Sequence, residues 1–288
     1  MDNLENKTRE IMRKYGVVAE KRLGQNFLID ENAIAEIVRS SNISNNDLII
    51  EIGPGLGTLT EKLVEKAGKV ICIELDRRMI SILEDRFKDC NNIQIIYGDI
   101  LKINLKELLE ENSQFENVRV VANLPYYITT PIIMKLLEEK LNIDTITIMI
   151  QKEVADRIVA LPGGKDYGVL TLSTSYYASS EIVVQVSHEG FIPAPKVDST
   201  VVLLKVYKKP IYDIKDETLL FNIIKGGFIQ RRKMFANSIE SCLKKYNIDK
   251  ETFKQILDKY DIDETRRAET LSMNDFINIS NEIYDILN

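Results

Sequence analysis

Histidine and cysteine are scarce in this sequence, and their scarcity excludes several kinds of active site. Only one histidine, His188, occurs among 288 residues, so a catalytic triad, a histidine-rich metal site or a histidine base would depend on it alone. It follows an alternating stretch, residues 182–187, that predicts a strand, and we interpret it as structural. Cys72, Cys90 and Cys242 are odd in number and form no C-x-x-C pair. We therefore expect reduced thiols, no disulfide framework and no metal site.

Long apolar runs are also missing, and no stretch reaches the roughly 20 residues that a membrane-spanning helix needs. Residues 1–13 are polar and include acidic side chains, so they do not resemble a secretory or transit peptide. We expect a cytoplasmic protein without membrane contact, and a monomer.

The net charge of −6 argues mildly against a nucleic-acid partner, but the charge is unevenly distributed. Lys and Arg outnumber Asp and Glu in residues 7–22 and again in residues 196–245. Local patches set the field that a polyanion meets. Composition alone therefore leaves two interpretations open, an RNA-binding surface and an ordinary solvated one.

Strand-type apolar runs alternate with helical stretches between about Asp47 and Tyr207. These runs are residues 48–52, 70–73, 93–97, 118–122 and 143–150. Alternating strands and helices predict a parallel sheet covered on both faces. Two further runs, residues 181–187 and 199–206, have no long helix between them and predict an antiparallel pair at one edge. The fold class expected is α/β, with the Rossmann-like sheet of class I S-adenosylmethionine methyltransferases.

Helical periodicity replaces the strand pattern after Lys209-Pro210. Helix starts are predicted at Asp249, Asp263 and Ser272, each of which precedes good helix formers. We predict two domains: a Rossmann-like domain over residues 1–210, and a small all-α domain over residues 211–288.

A glycine-rich turn, Gly53-Pro54-Gly55-Leu56-Gly57, follows the first apolar run. Its G-x-G-x-G spacing differs from the G-x-G-x-x-G of dinucleotide sites, and Pro54 removes a backbone donor that a pyrophosphate would use. The pattern favours a ligand without a pyrophosphate, such as an adenosyl amino acid. Taken alone, a purely structural turn is equally compatible with it.

Acidic residues end the next two strands. Glu74, twenty-one residues after Gly53, can accept both ribose hydroxyls of an adenosine cofactor, and Asp99 can accept a hydrogen bond from an adenine amine. The alternatives are a solvated carboxylate at Glu74 and a helix N-cap at Asp99. Acceptors at successive strand ends favour the cofactor interpretation.

The tetrapeptide Asn123-Leu124-Pro125-Tyr126 follows the fourth strand and indicates amine methylation. The Asn123 side-chain oxygen and the Leu124 carbonyl can accept the two amine protons and direct the nitrogen lone pair at a methyl donor. Pro125 stiffens the turn, and Tyr126 offers a ring for stacking an extruded base. The alternative is an Asx-type turn. These residues by themselves indicate an adenosyl-cofactor enzyme with an aminated substrate.

These four motifs, in this order, resemble the ribosomal RNA adenine dimethylase family, whose sister group is the erythromycin-resistance methylases. Further resemblance lies in residues 21–28 (KRLGQNFL), 123–131 (NLPYYITTP), 151–155, 162–168, 191–199 (FIPAPKVDS), 230–233 and 266–269. One departure is Met234, which stands where the family usually has Thr after the Arg-Arg-Lys run.

The resemblance implies roles for individual residues. The residues implied to hold S-adenosylmethionine are Asn26, Leu28, Gly53, Gly55, Glu74, Asp99 and Asn123. Residues 123–126 would align the target amine, and Phe191 would sandwich the base opposite Tyr126. An N-terminal segment would cap the cofactor, and the helical domain would recognise RNA through Arg231, Arg232 and Lys233.

The activity implied is dimethylation of two adjacent adenosines in a 3′-terminal hairpin loop of small-subunit rRNA, on a pre-30S ribosomal particle. Three alternatives stay open: a resistance-type methylase of large-subunit rRNA, a non-catalytic RNA-binding assembly factor, and a nicotinamide-dependent oxidoreductase. The last depends only on the glycine turn and Glu74.

Overall fold

The computed structural model describes residues 3–288, apart from the side chain of Lys21. The strands of this part of the chain are β1 (Phe27–Leu28), β2 (Asp47–Ile52), β3 (Lys69–Glu74), β4 (Ile93–Tyr97), β5 (Asn117–Asn123), β6 (Thr145–Gln151), β7 (Ala178–Val186), β8 (Phe191–Ile192) and β9 (Ser199–Val206). All strands of the main sheet coincide, within a few residues, with the apolar runs of the sequence.

The main sheet has seven strands in the order β4-β3-β2-β5-β6-β9-β7. The first five are parallel, and β9 runs antiparallel to β6. Every residue of β2, at the third position, is buried, as expected for a strand that is covered on both faces. The predicted α/β class, with a mostly parallel sheet and a strand pair added at one edge, is confirmed.

Helices lie between most of the strands. They are α1 (Leu4–Lys14), α2 (Glu31–Ser40), α3 (Thr58–Val64), α4 (Arg77–Arg86), α5 (Leu105–Glu110), α6 (Thr129–Glu138) and α7 (Lys152–Ile158). Four of them begin after an Asn or Asp whose side chain accepts a hydrogen bond from a backbone N–H of the first turn. These N-caps are Asn3, Asp30, Asp76 and Asn104.

A second, two-stranded sheet joins segments that are far apart in the sequence. Strand β1 pairs antiparallel with β8, so that Phe27 lies opposite Ile192 and Leu28 opposite Phe191. Two of the segments that resemble the family, residues 21–28 and 191–199, are therefore neighbours in space.

The chain divides into two compact units. The sheet unit extends to Ala155 and includes Ser179–Lys208, whereas the helical unit comprises Asp156–Ala178 and Lys209–Asn288. The elements of the helical unit are α8 (Val169–Tyr177), α9 (Glu217–Phe228), α10 (Phe235–Ser238), α11 (Glu240–Lys245), α12 (Lys250–Lys259) and α13 (Met273–Leu287).

One boundary of this division lies at residues 208 and 209, beside the predicted one at residue 210, and segment 156–178 belongs to the helical unit. The reason is aromatic packing: the rings of Tyr176 and Phe221 meet edge-on at 5.3 Å between centroids. The Tyr177 hydroxyl also donates to Glu217 over 2.6 Å. The roles assigned to the two domains stay predictions.

Two of the three predicted helix starts are confirmed. Asp249 caps α12, and Ser272 caps α13 in a capping box with Asp275. The third was wrong, because Asp263 accepts the backbone N–H and the hydroxyl of Thr265 and forms a turn without a helix. No helix within residues 3–288 has the length and apolar character needed to cross a bilayer.

Candidate active site

A cavity in the sheet unit lies where β2, β3 and β5 end. It brings together the residues predicted to hold the cofactor or to align the amine, namely Asn26, Leu28, Gly53, Gly55, Glu74, Asp99, Asn123, Leu124, Pro125 and Tyr126. The carboxyl ends of parallel strands are where ligands bind in such sheets. The sequence did not single out Gln25, Glu51, Thr58 or Tyr127, which also line the cavity.

The glycine turn requires glycine because its backbone is left-handed. Gly53, Gly55 and Gly57 have φ angles of 66°, 57° and 80°. The N–H of Gly53 donates to the carbonyl of Ile73 over 2.9 Å, which fixes the turn to the end of β3. A Cβ on Gly55 would lie only 3.3 Å from the ring of Phe27, so the N-terminal segment approaches the turn closely.

Glu74 is held rigidly at the end of β3. Its carboxylate accepts hydrogen bonds from the backbone N–H groups of Leu75 and Asp76, each over 2.8 Å, and of Gly55 over 3.1 Å. Only 7% of the residue is exposed, and this burial raises the pKa of its carboxyl above the usual range. Glu74 is therefore not the solvated strand-end carboxylate that was its alternative.

Asp99 closes a local turn and does not cap a helix. Its Oδ1 accepts the backbone N–H of Leu101 over 3.0 Å, and the residue lines the cavity, so its role toward an adenine amine stays a prediction. The N–H of the preceding Gly98 donates to the carbonyl of Glu74 over 2.8 Å. The ends of β3 and β4 are thereby tied together beside the cavity.

The turn after β5 carries two oxygen acceptors that have no hydrogen-bond donor among the described residues. The Nδ2 of Asn123 donates to the carbonyl of Asn26 over 3.2 Å, and the N–H of Leu124 donates to Met149 over 3.1 Å. Within residues 3–288, neither the Oδ1 of Asn123 nor the carbonyl oxygen of Leu124 accepts a hydrogen bond. Both residues line the cavity, which makes these oxygens the candidate acceptors for a ligand with two N–H donors.

Tyr126 begins a short 3₁₀ turn, Tyr126–Ile128, and is anchored at its far end. Its hydroxyl lies 2.6 Å from the hydroxyl of Ser199. Partial burial raises the pKa of Tyr126 above its usual value, so the hydroxyl stays protonated at neutral pH.

Phe191 is packed in the core. It is 3% exposed and belongs to the same buried apolar cluster as Leu28, Ile34 and Val201. The ring would have to leave this cluster to stack on a base, and the predicted sandwich with Tyr126 stays a prediction.

The three residues of the Arg-Arg-Lys run in the helical unit differ in their contacts. Arg231 donates to the carbonyls of Lys165 and Tyr167, over 2.7 and 3.1 Å, and to the carboxylate of Glu269 over 3.0 Å. Its guanidinium thus links its own segment to the segments that contain Lys165 and Glu269. Arg232 and Lys233 are exposed.

Glu51 is a buried carboxyl within β2, and its position in an apolar strand gave no sequence signal of a functional role. It is 1% exposed, and burial raises its pKa to about 7. The thiol of Cys72 donates to its Oε2 over 3.5 Å, and the hydroxyl of Thr60 is a further neighbour. The described residues hold no group of three or more His, Cys, Asp or Glu arranged for a metal ion.

Comparison with known proteins identifies the family of this chain. The family model described as ribosomal RNA adenine dimethylase matches residues 17–279. A protein of Clostridium botulinum (strain Okra / Type B1), ribosomal RNA small subunit methyltransferase A, is 48% identical over 97% of this chain and 99% of its own length. The chain belongs to the ribosomal RNA adenine dimethylase family. This dimethylase is an rRNA methyltransferase, as the sequence predicted.

Solved structures support the fold of this dimethylase. A dimethyladenosine transferase from Plasmodium falciparum matches with a TM-score of 0.74 and 28% identity, over 88% of this chain and 95% of that one. The 23S rRNA methyltransferase ErmE matches with a TM-score of 0.68 over 90% of this chain and all of its own. At 24% identity, the second likeness shows a shared fold alone.

Proposed function

We propose that this dimethylase transfers methyl groups from S-adenosylmethionine to the exocyclic amines of two adjacent adenosines, in a 3′-terminal hairpin loop of small-subunit rRNA. The observation that carries the proposal is a pair of acceptors on cavity residues that have no donor within residues 3–288, the Oδ1 of Asn123 and the carbonyl oxygen of Leu124. An adenine amine has two protons to donate and needs both to be accepted if its lone pair is to face a methyl donor.

The cavity fits an adenosyl amino acid better than a dinucleotide. Pro54 has no N–H to donate, and the N–H of Gly55 is already bonded to Glu74, so the turn lacks free donors for a pyrophosphate at these positions. The rigid carboxylate of Glu74 suits two ribose hydroxyls, and Asp99 suits an adenine amine. We assign Asn26, Leu28, Gly53 and the cavity residue Asn123 to the same ligand.

The chain's own residues supply the rest of the mechanism. S-adenosylmethionine, when bound, supplies a methyl group activated by a sulfonium. Asn123 and Leu124 accept the amine protons, and Pro125, with a φ of −59°, holds the turn that positions both oxygens. Tyr126 offers a ring for the extruded base. No side chain acts as a base, because the methylated amine is cationic and loses a proton to water readily.

RNA contact is assigned to the helical unit. Arg232 and Lys233 are exposed and can meet phosphates, whereas Arg231 supports the loop that reaches Lys165. Met234, where the family usually has Thr, is 41% exposed beside them. We place the protein in the cytoplasm with its ribosomal substrate, as a monomer.

The small-subunit substrate is favoured over the alternatives by a relative that matches almost the full chain. The Clostridium botulinum protein that shares almost the full length is named for the small subunit, whereas the 23S rRNA methyltransferase shares only the fold. A non-catalytic assembly factor is disfavoured, since the whole polar turn after β5 is present and lines the cavity.

Substitution of Asn123 tests the proposal. Asn123→Ala removes one of the two acceptors. We expect the rate of methyl transfer to fall at least about 100-fold, the usual effect of losing one preorganised hydrogen-bonding group that stabilises a transition state. Affinity for rRNA, measured by filter binding, should stay within about twofold. Asn91→Ala, at an exposed asparagine, is the matched control and should transfer normally.

The same pair of assays distinguishes the alternatives. A parent protein that binds rRNA but transfers no methyl group would support the assembly factor. Normal transfer by Asn123→Ala would contradict the assigned role of the amide.

A further inference from the structure

We propose that Ser199 is a positioning residue for the target base, because its hydroxyl holds the Tyr126 ring in the orientation on which the base stacks. The inference rests on the proposed function of Tyr126. It adds a residue that does not line the cavity and that acts only through another side chain.

The backbone and side chain of Ser199 are held in place by burial and strand pairing. The residue is 0% exposed and begins β9, where it lies opposite Gln151 in the antiparallel ladder with β6. The preceding residue is tied as well, since the carbonyl of Asp198 accepts the N–H of Lys152 over 3.0 Å. A hydroxyl carried by this position moves little relative to the sheet.

Tyr126 is held at both ends as a result. At the backbone end, the hydroxyl of Thr129 donates to the carbonyl of Pro125 over 3.1 Å, within the turn that carries the ring. At the other end, the phenol oxygen lies 2.6 Å from Ser199. Rotation about the Cα–Cβ bond would break this second contact, so the ring is confined to one rotamer before any base arrives.

Confinement of the ring matters for a stacking surface. A side chain that must be ordered on binding reduces affinity by its lost conformational freedom, and a ring that is already ordered avoids this cost. Productive transfer further needs the base within a narrow range of distance and angle. Ser199 thus contributes to both base affinity and turnover.

The neighbouring Thr200 also has a buried hydroxyl, but that hydroxyl holds no other side chain of the described residues in place. Thr200 is also 0% exposed, yet its Oγ1 has no hydrogen-bond partner within the described residues. The hydroxyl of Ser199 differs in having one partner, and this partner is the ring that lines the cavity. Thr200→Val is therefore a matched control of similar volume, one residue away.

A double-mutant cycle of Ser199→Ala and Tyr126→Phe tests the proposal, because each change removes the same hydrogen bond. The readouts are methylation kinetics on a small-subunit hairpin RNA, fluorescence of 2-aminopurine at the target position, and calorimetric affinity for S-adenosylhomocysteine. We expect each single variant to lower kcat/KM by about 2- to 10-fold, the range for one net hydrogen bond, with reduced quenching of the probe. The double variant should lose no more than either single one.

The other readouts separate positioning from a merely structural role. Affinity for S-adenosylhomocysteine should be unchanged in Ser199→Ala, and Thr200→Val should match the parent in all assays. Additive losses in the double variant, or an equal loss of cofactor affinity, would overturn the proposal. The proposal would also be overturned if Tyr126→Ala lowered kcat/KM of the parent protein while Ser199→Ala did not. Absence of methyl transfer by the parent would overturn the proposed function, and this inference with it.

Discussion

Two buried carboxyls, Glu51 and Glu74, set the electrostatics of the cavity. They are 1% and 7% exposed, and burial raises the pKa of each. Glu74 accepts hydrogen bonds from three backbone N–H groups, whereas the side-chain neighbours of Glu51 are the thiol of Cys72 and the hydroxyl of Thr60. Since a thiol donates weakly, the burial of Glu51 is compensated less than that of Glu74.

Replacement of Glu51 by Gln should change the pH dependence of stability. Because its pKa of about 7 in the folded protein exceeds the value of 4.5 for an unburied glutamate, the carboxyl favours folding at low pH. That contribution is lost as the pH rises through about 7. Glu51→Gln cannot ionise, so its free energy of unfolding relative to the parent should rise by about 2 kcal/mol between pH 5 and pH 8.

Urea unfolding of both proteins at the two pH values measures this difference. Glu110→Gln, at an exposed carboxylate, should follow the parent at both pH values. A difference between Glu51→Gln and the parent that is the same at pH 5 and pH 8 would contradict the assignment.

Glu74 should matter for the cofactor. Glu74→Gln removes the negative charge and one acceptor oxygen, and charge-assisted hydrogen bonds are the stronger ones. We expect the affinity for S-adenosylhomocysteine to fall about 10- to 100-fold in calorimetry, while Glu84→Gln, at an exposed position of α4, binds normally. Measurable binding of NADH to the parent would instead favour the oxidoreductase alternative.

At the scale of elements, the glycine turn after β2 is the most constrained segment of the site. A Cβ on Gly57 would lie 2.7 Å from Cε2 of Phe87 and 2.9 Å from Cδ2 of Leu83, in addition to the strain of a φ of 80°. Gly16 has a φ of 63° with open space around it. The two positions therefore separate backbone strain from crowding.

Substitution by alanine should show that difference. Gly16→Ala is expected to lower the free energy of unfolding by about 1 kcal/mol through backbone strain alone. Gly57→Ala should lower it by a further 1–3 kcal/mol, roughly the cost of overpacking. Equal losses for the two variants in urea unfolding would show that crowding at the turn is relieved without cost.

The main elements could be predicted from the sequence, because each carries a repeating or local signal. Buried strands show as apolar runs, and helix starts show as caps such as Ser272. The pairing of β1 with β8 could not be predicted, because two-residue strands have no periodicity. The wrong start at Asp263 has a local cause, since a side chain that caps a helix equally well closes a turn.

At the scale of the whole molecule, the features that the sequence did not predict depend on contacts between residues that are distant in sequence. The residues at successive strand ends were predictable as a group, since the ends of parallel strands meet at one edge. The packing of Phe191 and the anchoring of Tyr126 by Ser199 depend on tertiary contacts, and no spacing encodes them. Segment 156–178 belongs to the helical unit through the contact between the rings of Tyr176 and Phe221, which the composition of the sequence does not predict.

The central claim is that the cavity presents two acceptors to the amines of small-subunit adenosines. The most direct measurement is transfer of labelled methyl groups from S-adenosylmethionine to unmodified small-subunit particles and to large-subunit RNA, with the modified nucleotides mapped. We predict two methyl groups on each of two adjacent adenosines near the 3′ end of the small-subunit RNA, and none on large-subunit RNA. Labelling of large-subunit RNA alone, or of a nucleotide other than adenosine, would contradict the account.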